Sequence, residues 1–221
     1  MTKLLAIETS SDACSIVVSV EGRVSSFHEV IPQQHSKKII GILKKLMLSA
    51  GLNFHELDAI AIGCGPGSFT GIRLGCMVAQ GLSFSSGIPT IRVSSLEIMS
   101  EHFFKNYQAK DVVTLLNAHM KQIYIGRFKY NKKELSSYSQ MSKYVEEFDI
   151  SEFTSDTFFV GAGCELVKDK LKGLNSLIYP HYPNALDLLT IAKKKFLQGE
   201  TVGPEELLPI YISGEEHWQK A

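Results

Sequence analysis

The sequence predicts an α/β protein built as two lobes, each a mixed sheet flanked by helices. Three observations carry this. The chain opens with three consecutive strand patterns joined by short polar turns, which implies antiparallel pairing. From residue 35 onward helix and strand patterns alternate, as in layered α/β sheets. Near residue 112 the opening strand-turn-strand order starts again, a weak internal duplication in order and turn position rather than in identity.

At 221 residues the chain can bury one generous core or two smaller ones. Its 44% hydrophobic and 21% charged residues are those of an ordinary globular protein. Lys+Arg and Asp+Glu each total 23, so no net positive field would hold nucleic acid unaided. No run approaches the roughly 18 apolar residues of a membrane span, and the N-terminus lacks a signal-peptide pattern. Both point to a cytoplasmic protein with no membrane partner. Cys14, Cys64, Cys76 and Cys164 form no CxxC pair and sit among apolar or small residues. They read as buried, reduced thiols rather than as a disulfide or a zinc site.

Taken in order, Leu4-Leu5-Ala6-Ile7 is an apolar strand, Glu8-Thr9-Ser10-Ser11-Asp12 a polar turn, and Cys14 to Val20 a second strand. Glu21-Gly22 is a two-residue hairpin signal into a third strand, Val24 to Val30. Glu8 puts a carboxylate at a strand end beside hydroxyls, which suits either a phosphate or magnesium-water site or a plain polar hairpin. His35-Ser36 opens an amphipathic helix that Gly51 ends. Ile39, Ile42, Leu43, Leu46, Met47 and Ala50 form its apolar face, and Lys37, Lys38, Lys44 and Lys45 decorate the other. A metal-binding H-x3-H pair would need a second histidine where Ile39 stands, so His35 reads as an exposed cap residue.

The stretch Ala59 to Ser86 organises the chain. Ala59-Ile60-Ala61-Ile62 is a buried-strand pattern, followed by Gly63, Gly65, Gly67 and Gly71, with Pro66 between them and Ser68 and Thr70 as helix-cap candidates. Strand, glycine loop and helix N-terminus together could hold an anion; equally, they make a close-packed turn. The loop is not a Walker loop, because five residues separate Gly65 from Gly71 and Ile72-Arg73 follows. Thr70 replaces the third glycine of a dinucleotide fingerprint, and Pro66 and Thr70 exclude a nucleophile elbow at Ser68. In the helix, Gly71, Gly75, Ala79 and Ser83 recur every four residues, with Ile72, Leu74, Met77, Val78 and Leu82 over much of the rest. Such a stripe admits the close approach of another backbone, either the chain's own sheet or a partner helix.

Ile88 to Val93 is a further strand, and Ser94-Ser95-Leu96-Glu97 is a capping-box sequence for a helix to about Phe104. The order β-β-β-α-β-α-β-α is that of an RNase H-like lobe, the unit of the actin-like ATPase and sugar-kinase (ASKHA) folds. A boundary in the polar stretch 105–110 gives an N-terminal lobe of 1–104 and a smaller C-terminal lobe of 105–221. In the latter, Val112 to Leu116, Ile123 to Tyr130 and Leu135 to Tyr138 are strands, with Asn117-Ala118-His119-Met120-Lys121 as a turn. Phe158-Phe159-Val160 runs into Gly161-Ala162-Gly163, then come a helix from Cys164 to Lys172, a strand at Ser176 to Tyr179, and a helix that Asn184 caps. Lys193-Lys194-Lys195 reads as a solvated face, and Trp218 as either a tail anchor or a loose terminus.

Ile7-Glu8-Thr9-Ser10, the His35-Ser36 helix start, Gly65-Pro66-Gly67-Ser68-Phe69-Thr70-Gly71-Ile72-Arg73-Leu74-Gly75 and the turn at Asn117-Ala118-His119 together resemble the TsaB (YeaZ) family. The 65–75 motif is the most specific, and the resemblance runs in order through the chain. It implies a two-lobed actin-like fold and a place in the bacterial pathway that makes threonylcarbamoyladenosine on tRNA. It further implies a non-catalytic dimerization subunit that pairs with a paralogous transferase, TsaD, and with a small ATPase, TsaE. A homodimer would form when the partner is absent, and tRNA would be met only through the complex.

Departures from the family pattern accompany the resemblance. Asn117-Ala118-His119 stands where members often show Asp-Ala-Arg, Gly161-Ala162-Gly163 lacks an acidic middle residue, and Pro209-Ile210-Tyr211-Ile212-Ser213 lacks a terminal arginine. No cofactor or metal is therefore assigned to the chain alone, although ADP or ATP at a joint interface is possible. The candidate nucleotide or phosphate loop is Glu8, Thr9, Ser10, Gly65, Gly67, Ser68 and Thr70. The candidate partner interface is His35, Ile39, Ile42, Leu43 and Leu46 on one helix, with Gly71, Arg73, Gly75, Met77, Val78, Ala79 and Leu82 on the other. The competing reading is an ATP-dependent phosphoryl- or acyl-transfer enzyme using Glu8 and the 65–71 loop. A peptidase has little support, since no nucleophile has a placed base.

Overall fold

The computed structural model describes residues 2–131, 134–177 and 181–212. Trp218 and Ser213 lie outside them. Contacts divide the chain into two compact units, Met1–Ile98 with Tyr182–Ile210, and Met99–His181 with Tyr211–Ala221.

The first unit holds a five-stranded sheet. β1 (Lys3–Glu8) pairs antiparallel with β2 (Ala13–Val20), and β2 antiparallel with β3 (Arg23–Val30). On its other side β1 runs parallel to β4 (Ala59–Gly63), and β4 parallel to β5 (Thr90–Val93). The order is therefore β3-β2-β1-β4-β5. Alternation along the strands sends Leu5, Ile7, Ile16, Val18, Ile60 and Ile62 to one face. There they meet Ile39, Leu43, Leu46 and Met47 of α1 (His35–Ala50) and Ile72, Cys76 and Ala79 of α2 (Phe69–Ser86). The opposite face, with Leu4, Ala6, Ala59, Ala61, Ile91 and Val93, is covered by a helix from much later in the sequence, residues 185–197.

This covering helix changes the domain boundary. The sequence reading put residues 105–221 in one lobe, whereas Tyr182–Ile210 packs into the first unit. The reason lies in β1, where Leu4, Leu5, Ala6 and Ile7 are all apolar and fully buried, so both faces of the sheet need a cover. α1 and α2 supply one, and the helix beginning at Ala185 supplies the other. Its start is fixed to β2, for Ala185 N donates to Ser15 Oγ at 2.9 Å, and Asn184 Oδ1 caps Leu186 N at 2.8 Å. Beyond it, Thr90 and Val202 form an antiparallel bridge, Ile210 N donates to Cys64 O at 2.7 Å, and Gln80 Nε2 donates to the Pro204 and Leu207 carbonyls. The unit boundary between Ile98 and Met99 falls inside α3 (Ser95–Tyr107), so this helix is not confined to the first lobe as expected.

The second unit repeats the sheet. β6 (Asp111–His119) is antiparallel to β7 (Gln122–Asn131), and β7 to β8 (Glu134–Tyr144). β9 (Thr157–Val160) is parallel to β6, and β10 (Asn175–Leu177) to β9. The order β10-β9-β6-β7-β8 and the parallel and antiparallel pairings match those of the first sheet, which gives two RNase H-like lobes of the actin-like class. Val113, Leu115, Ile123, Ile125 and Phe159 bury one face against Phe148, Cys164, Val167 and Leu171. On the other face Phe104 of α3 stacks on Tyr130 with ring centroids 4.2 Å apart, and the Tyr130 hydroxyl bonds Ser100 at 2.7 Å. β8 runs to Tyr144, well past the expected end at Tyr138. The expected helix from Cys164 is instead a 3-10 turn over Ala162–Val167, followed by turns with i→i+3 bonds such as Lys170 N to Val167 O. Gly161 and Gly163 bring that segment directly onto the backbone of Leu115, which a full α-turn with a side chain there could not approach.

The first hairpin of the second lobe turns through a strained link. β6 and β7 are joined by Met120-Lys121, with φ of 47° and 62°, the central-residue geometry that favours Asn-Gly, and His119 before them is also left-handed at 65°. Glu21-Gly22, the two-residue turn between β2 and β3 of the first lobe, has φ of 51° and 88° and at least supplies glycine at its second place. Replacing Met120-Lys121 by Asn-Gly should therefore raise stability by about 1 kcal/mol. A higher urea midpoint at unchanged m-value checks it; an unchanged or lowered midpoint would show that the native side chains stabilise this turn in another way.

Candidate functional site

Two loops meet at the end of the first sheet, the turn after β1 and the loop between β4 and α2. Glu8 ends β1 and is wholly buried. Its Oε1 accepts from Ser10 N at 2.6 Å and its Oε2 from Ser95 Oγ at 3.3 Å, so one carboxylate braces its own turn and ties it to the start of α3. The carboxylate lies flat across β4 because residue 63 has no side chain; a Cβ there would sit 1.7 Å from Glu8 Oε2. Burial pushes the Glu8 carboxyl above its ordinary 4.5, and the bonds from Ser10 and Ser95 offset that only in part.

The structure brings all seven candidate loop residues together and shows what their polar groups do. Ser68 N donates to Ser10 O at 2.7 Å, Ser95 N to Gly65 O at 2.8 Å, and Thr9 Oγ1 to Gly71 O at 2.8 Å. Ser68 is the N-cap of α2, accepting from Gly71 N at 3.3 Å. Gly67 lies against the Ser10 carbonyl, and Thr70 is exposed on the first turn of α2. Most of the groups counted as anion ligands are thus engaged with one another. The turn is chiefly a joint.

The small-residue stripe of α2 faces inward. A Cβ on Gly71 would sit 2.1 Å from Thr9 O, and one on Gly75 would sit 2.5 Å from Thr9 Oγ1 and 2.9 Å from Ile62 Cδ1. Of the two readings left open by the sequence, close approach to the chain's own sheet is the one observed. This corrects much of the expected partner interface. His35, Ile39, Leu43, Leu46, Gly71, Gly75 and Ala79 are all buried within the first unit, because the apolar face of β1 and β4 requires that cover. His35 is not an exposed cap; Gln34 holds the N-cap position, and the His35 imidazole packs under the start of α1. Ile42, Val78 and Leu82 are half-buried, and of the expected set only Arg73 and Met77 are exposed.

A different stripe is exposed. Phe69, Arg73, Met77, Gly81 and Phe84 follow one another at four-, four-, four- and three-residue steps along α2. Phe69, Met77 and Phe84 expose 59%, 62% and 84% of their surface and lie along one face of the helix, where a run of large apolar groups marks a contact surface. The Arg73 guanidinium lies 3.6 Å from the Phe69 ring centroid. Beside this stripe a groove of about 640 Å³ runs between the starts of α1 and α2, lined by Asp12, Ser36, Ser68, Arg73, Leu74 and Met77 among others. The sequence did carry the signal, a second four-residue repeat of large side chains out of phase with the small one. It was masked because the helix is apolar on nearly every face.

Elsewhere, Asn117 Oδ1 accepts from His119 N at 2.8 Å and so braces its own turn. All four cysteines are buried, and burial raises the Cys14 thiol to about 11 and the Cys164 thiol to about 12. Among the described residues no helix is long and apolar enough to cross a membrane.

Comparison with known proteins places this architecture. The family model described as TsaD, tRNA N6-adenosine threonylcarbamoyltransferase, matches residues 26–193. The tRNA threonylcarbamoyladenosine biosynthesis protein TsaB of Haemophilus influenzae is 32% identical, over 98% of this chain and 96% of its own. TsaB of Escherichia coli is 27% identical, over 99% and 97%. The solved structure of YeaZ from Pseudomonas aeruginosa superposes with a TM-score of 0.89 at 33% identity, covering 96% of this chain and all of the other.

The Glu8 joint has a pH signature. Unfolded, the carboxyl titrates at its ordinary 4.5; folded, it holds its proton to higher pH. Its contribution to stability is then greatest below 4.5 and falls as pH rises through the interval up to the folded value. Glu8→Gln should keep the fold and remove that slope, whereas Glu8→Ala, which strands the Ser10 N–H, should cost about 2 kcal/mol. Urea unfolding of the three proteins over a pH series decides this, and an identical slope in Glu8→Gln would refute it.

Proposed function

The chain belongs to the TsaB (YeaZ) family and acts in tRNA threonylcarbamoyladenosine biosynthesis; from that premise we propose that it is a non-catalytic scaffold subunit. It binds and activates a TsaD-type transferase together with a TsaE-type ATPase in the cytoplasm, and pairs with a second copy of itself when the transferase is absent. The observation that carries this is Gly81. It lies inside α2, is exposed, and has no atom within 4 Å of where a Cβ would stand. A helical glycine costs about 1 kcal/mol relative to alanine, and no packing within this chain requires it. Set between Met77 and Phe84, it offers a notch into which a partner helix can lay its backbone or a ridge of side chains. The large exposed residues on either side are the type that anchors protein interfaces.

The joint at Glu8 supports the non-catalytic half of the reading. The carboxylate that an ATPase would turn toward metal-bound water is here sealed under β4 and bonded to Ser10 and Ser95. ADP or ATP bound by the assembly would then draw most of its ligands from the partners, as would tRNA.

Gly81→Trp should weaken association with the transferase, and self-association, by more than about tenfold. The variant's thermal unfolding should match that of the wild type, and Gly81→Ala should be slightly stabilised. Size-exclusion and titration measurements read the first effect. Reconstituted tRNA threonylcarbamoylation reads the function: it should require this chain together with the transferase and be absent with this chain alone. Modification at full rate without the chain would reject the scaffold reading, and retained complexes in Gly81→Trp would reject the stripe as the interface.

A further inference from the structure

The outward face of α1 differs from the rest of the surface. Between His35 and Ala50 the helix carries Lys37, Lys38, Lys44 and Lys45 and no Asp or Glu. All four lysines are exposed, and among the described residues none makes a side-chain salt bridge or hydrogen bond. Lys168, Lys172 and Lys195, by contrast, each hold a carboxylate. Seven-residue spacing stacks Lys44 over Lys37 and Lys45 over Lys38, giving two parallel rows about 10 Å long. Between the rows stands Gly41, exposed, with nothing within 4 Å of its Cβ position. No packing in this chain accounts for a glycine in mid-helix there, at a cost of about 1 kcal/mol. Alongside runs a groove of about 410 Å³ between α1 and β3, whose lining includes Lys37, Lys38, Lys45, Ser26 and Phe27, with Glu29 as its single carboxylate.

We propose that this face is a contact for an RNA phosphate backbone, that of the tRNA substrate in the assembled complex. The proposal rests on the scaffold reading above, but uses residues other than the α2 stripe. Unpaired ammonium groups so close together repel one another, and a polyanion both relieves that repulsion and releases condensed counterions. Their arrangement in rows along the helix suits regularly spaced phosphates, and the bare backbone at Gly41 lets a sugar-phosphate strand approach closely. The chain's net charge is zero, so this patch gathers positive charge locally that the rest of the protein offsets.

The test uses the reconstituted complex of this chain with its transferase. Assembly and dependence of tRNA modification on the wild-type chain are measured first, which examines the scaffold reading by itself. Binding of tRNA to the assembled complex is then followed over a salt series. With all four lysines changed to Gln, assembly should persist, tRNA affinity at low salt should fall about tenfold or more, and the slope of log K against log salt should become shallower by about 3. The four Lys→Arg changes should retain binding. Gly41→Leu, whose side chain meets no atom of this chain, should assemble normally yet bind tRNA more weakly. Unchanged affinity and slope in the Gln variant, or in Gly41→Leu if the Gln variant misfolds, overturns the proposal. Loss of assembly in the Gln variant also overturns it, and assigns the face to an acidic protein partner.

Discussion

Burial of β1 on both faces is the constraint from which the rest of the first lobe follows. Leu4 to Ile7 are apolar at every position and fully excluded from water. A strand of this kind is stable only between two layers of helix. One layer comes from α1 and α2, and because the central strands carry Ile at the positions facing α2, that helix must present small residues to come near. The glycines that looked available to a partner are consumed in meeting this demand. What remains for other molecules is the outer side of the same two helices, with apolar groups and a notch on α2 and positive charge on α1.

The same constraint explains the polar joint. Where β1 and β4 end side by side, their turns are pressed together and their N–H groups and hydroxyls bond across the gap. A carboxylate buried there is tolerated because two donors meet it, and it fixes the turn after β1 and the start of α3 in one arrangement. The region that resembles an anion-binding loop in outline is therefore, in its bonding, a rigid corner that sets the position of α2.

Much of this was legible in the sequence. Strand and helix order, the tight turn at Glu21-Gly22, the Ser68 cap and the repeat of the lobe pattern all depend on local chemistry and periodicity, and these the chain displays openly. The family resemblance rested on the 65–75 motif, and comparison with relatives bears it out. Two things were hidden. Which of two interleaved four-residue repeats in α2 faces inward depends on the sheet beneath it, a long-range fact that no window of sequence contains. The destination of the helix at Ala185 is equally non-local, since an amphipathic helix reports that it has a buried face and not which sheet it will bury. The unused faces around Gly41 and Gly81 emerge only once every internal contact is known.

Closure of the first sheet by residues far downstream bears on how the protein is made. A ribosome that has released Leu4, Ala6, Ala59 and Ala61 must still translate the whole second lobe before Ala185 appears. At about 5–20 residues per second this leaves an apolar sheet surface open for several seconds. Exposed apolar surface of this kind is prone to aggregation, and a truncated product ending before Tyr182 would carry the same open surface permanently. The later-emerging segment thus acts as the final step of maturation for a lobe whose sequence begins the chain.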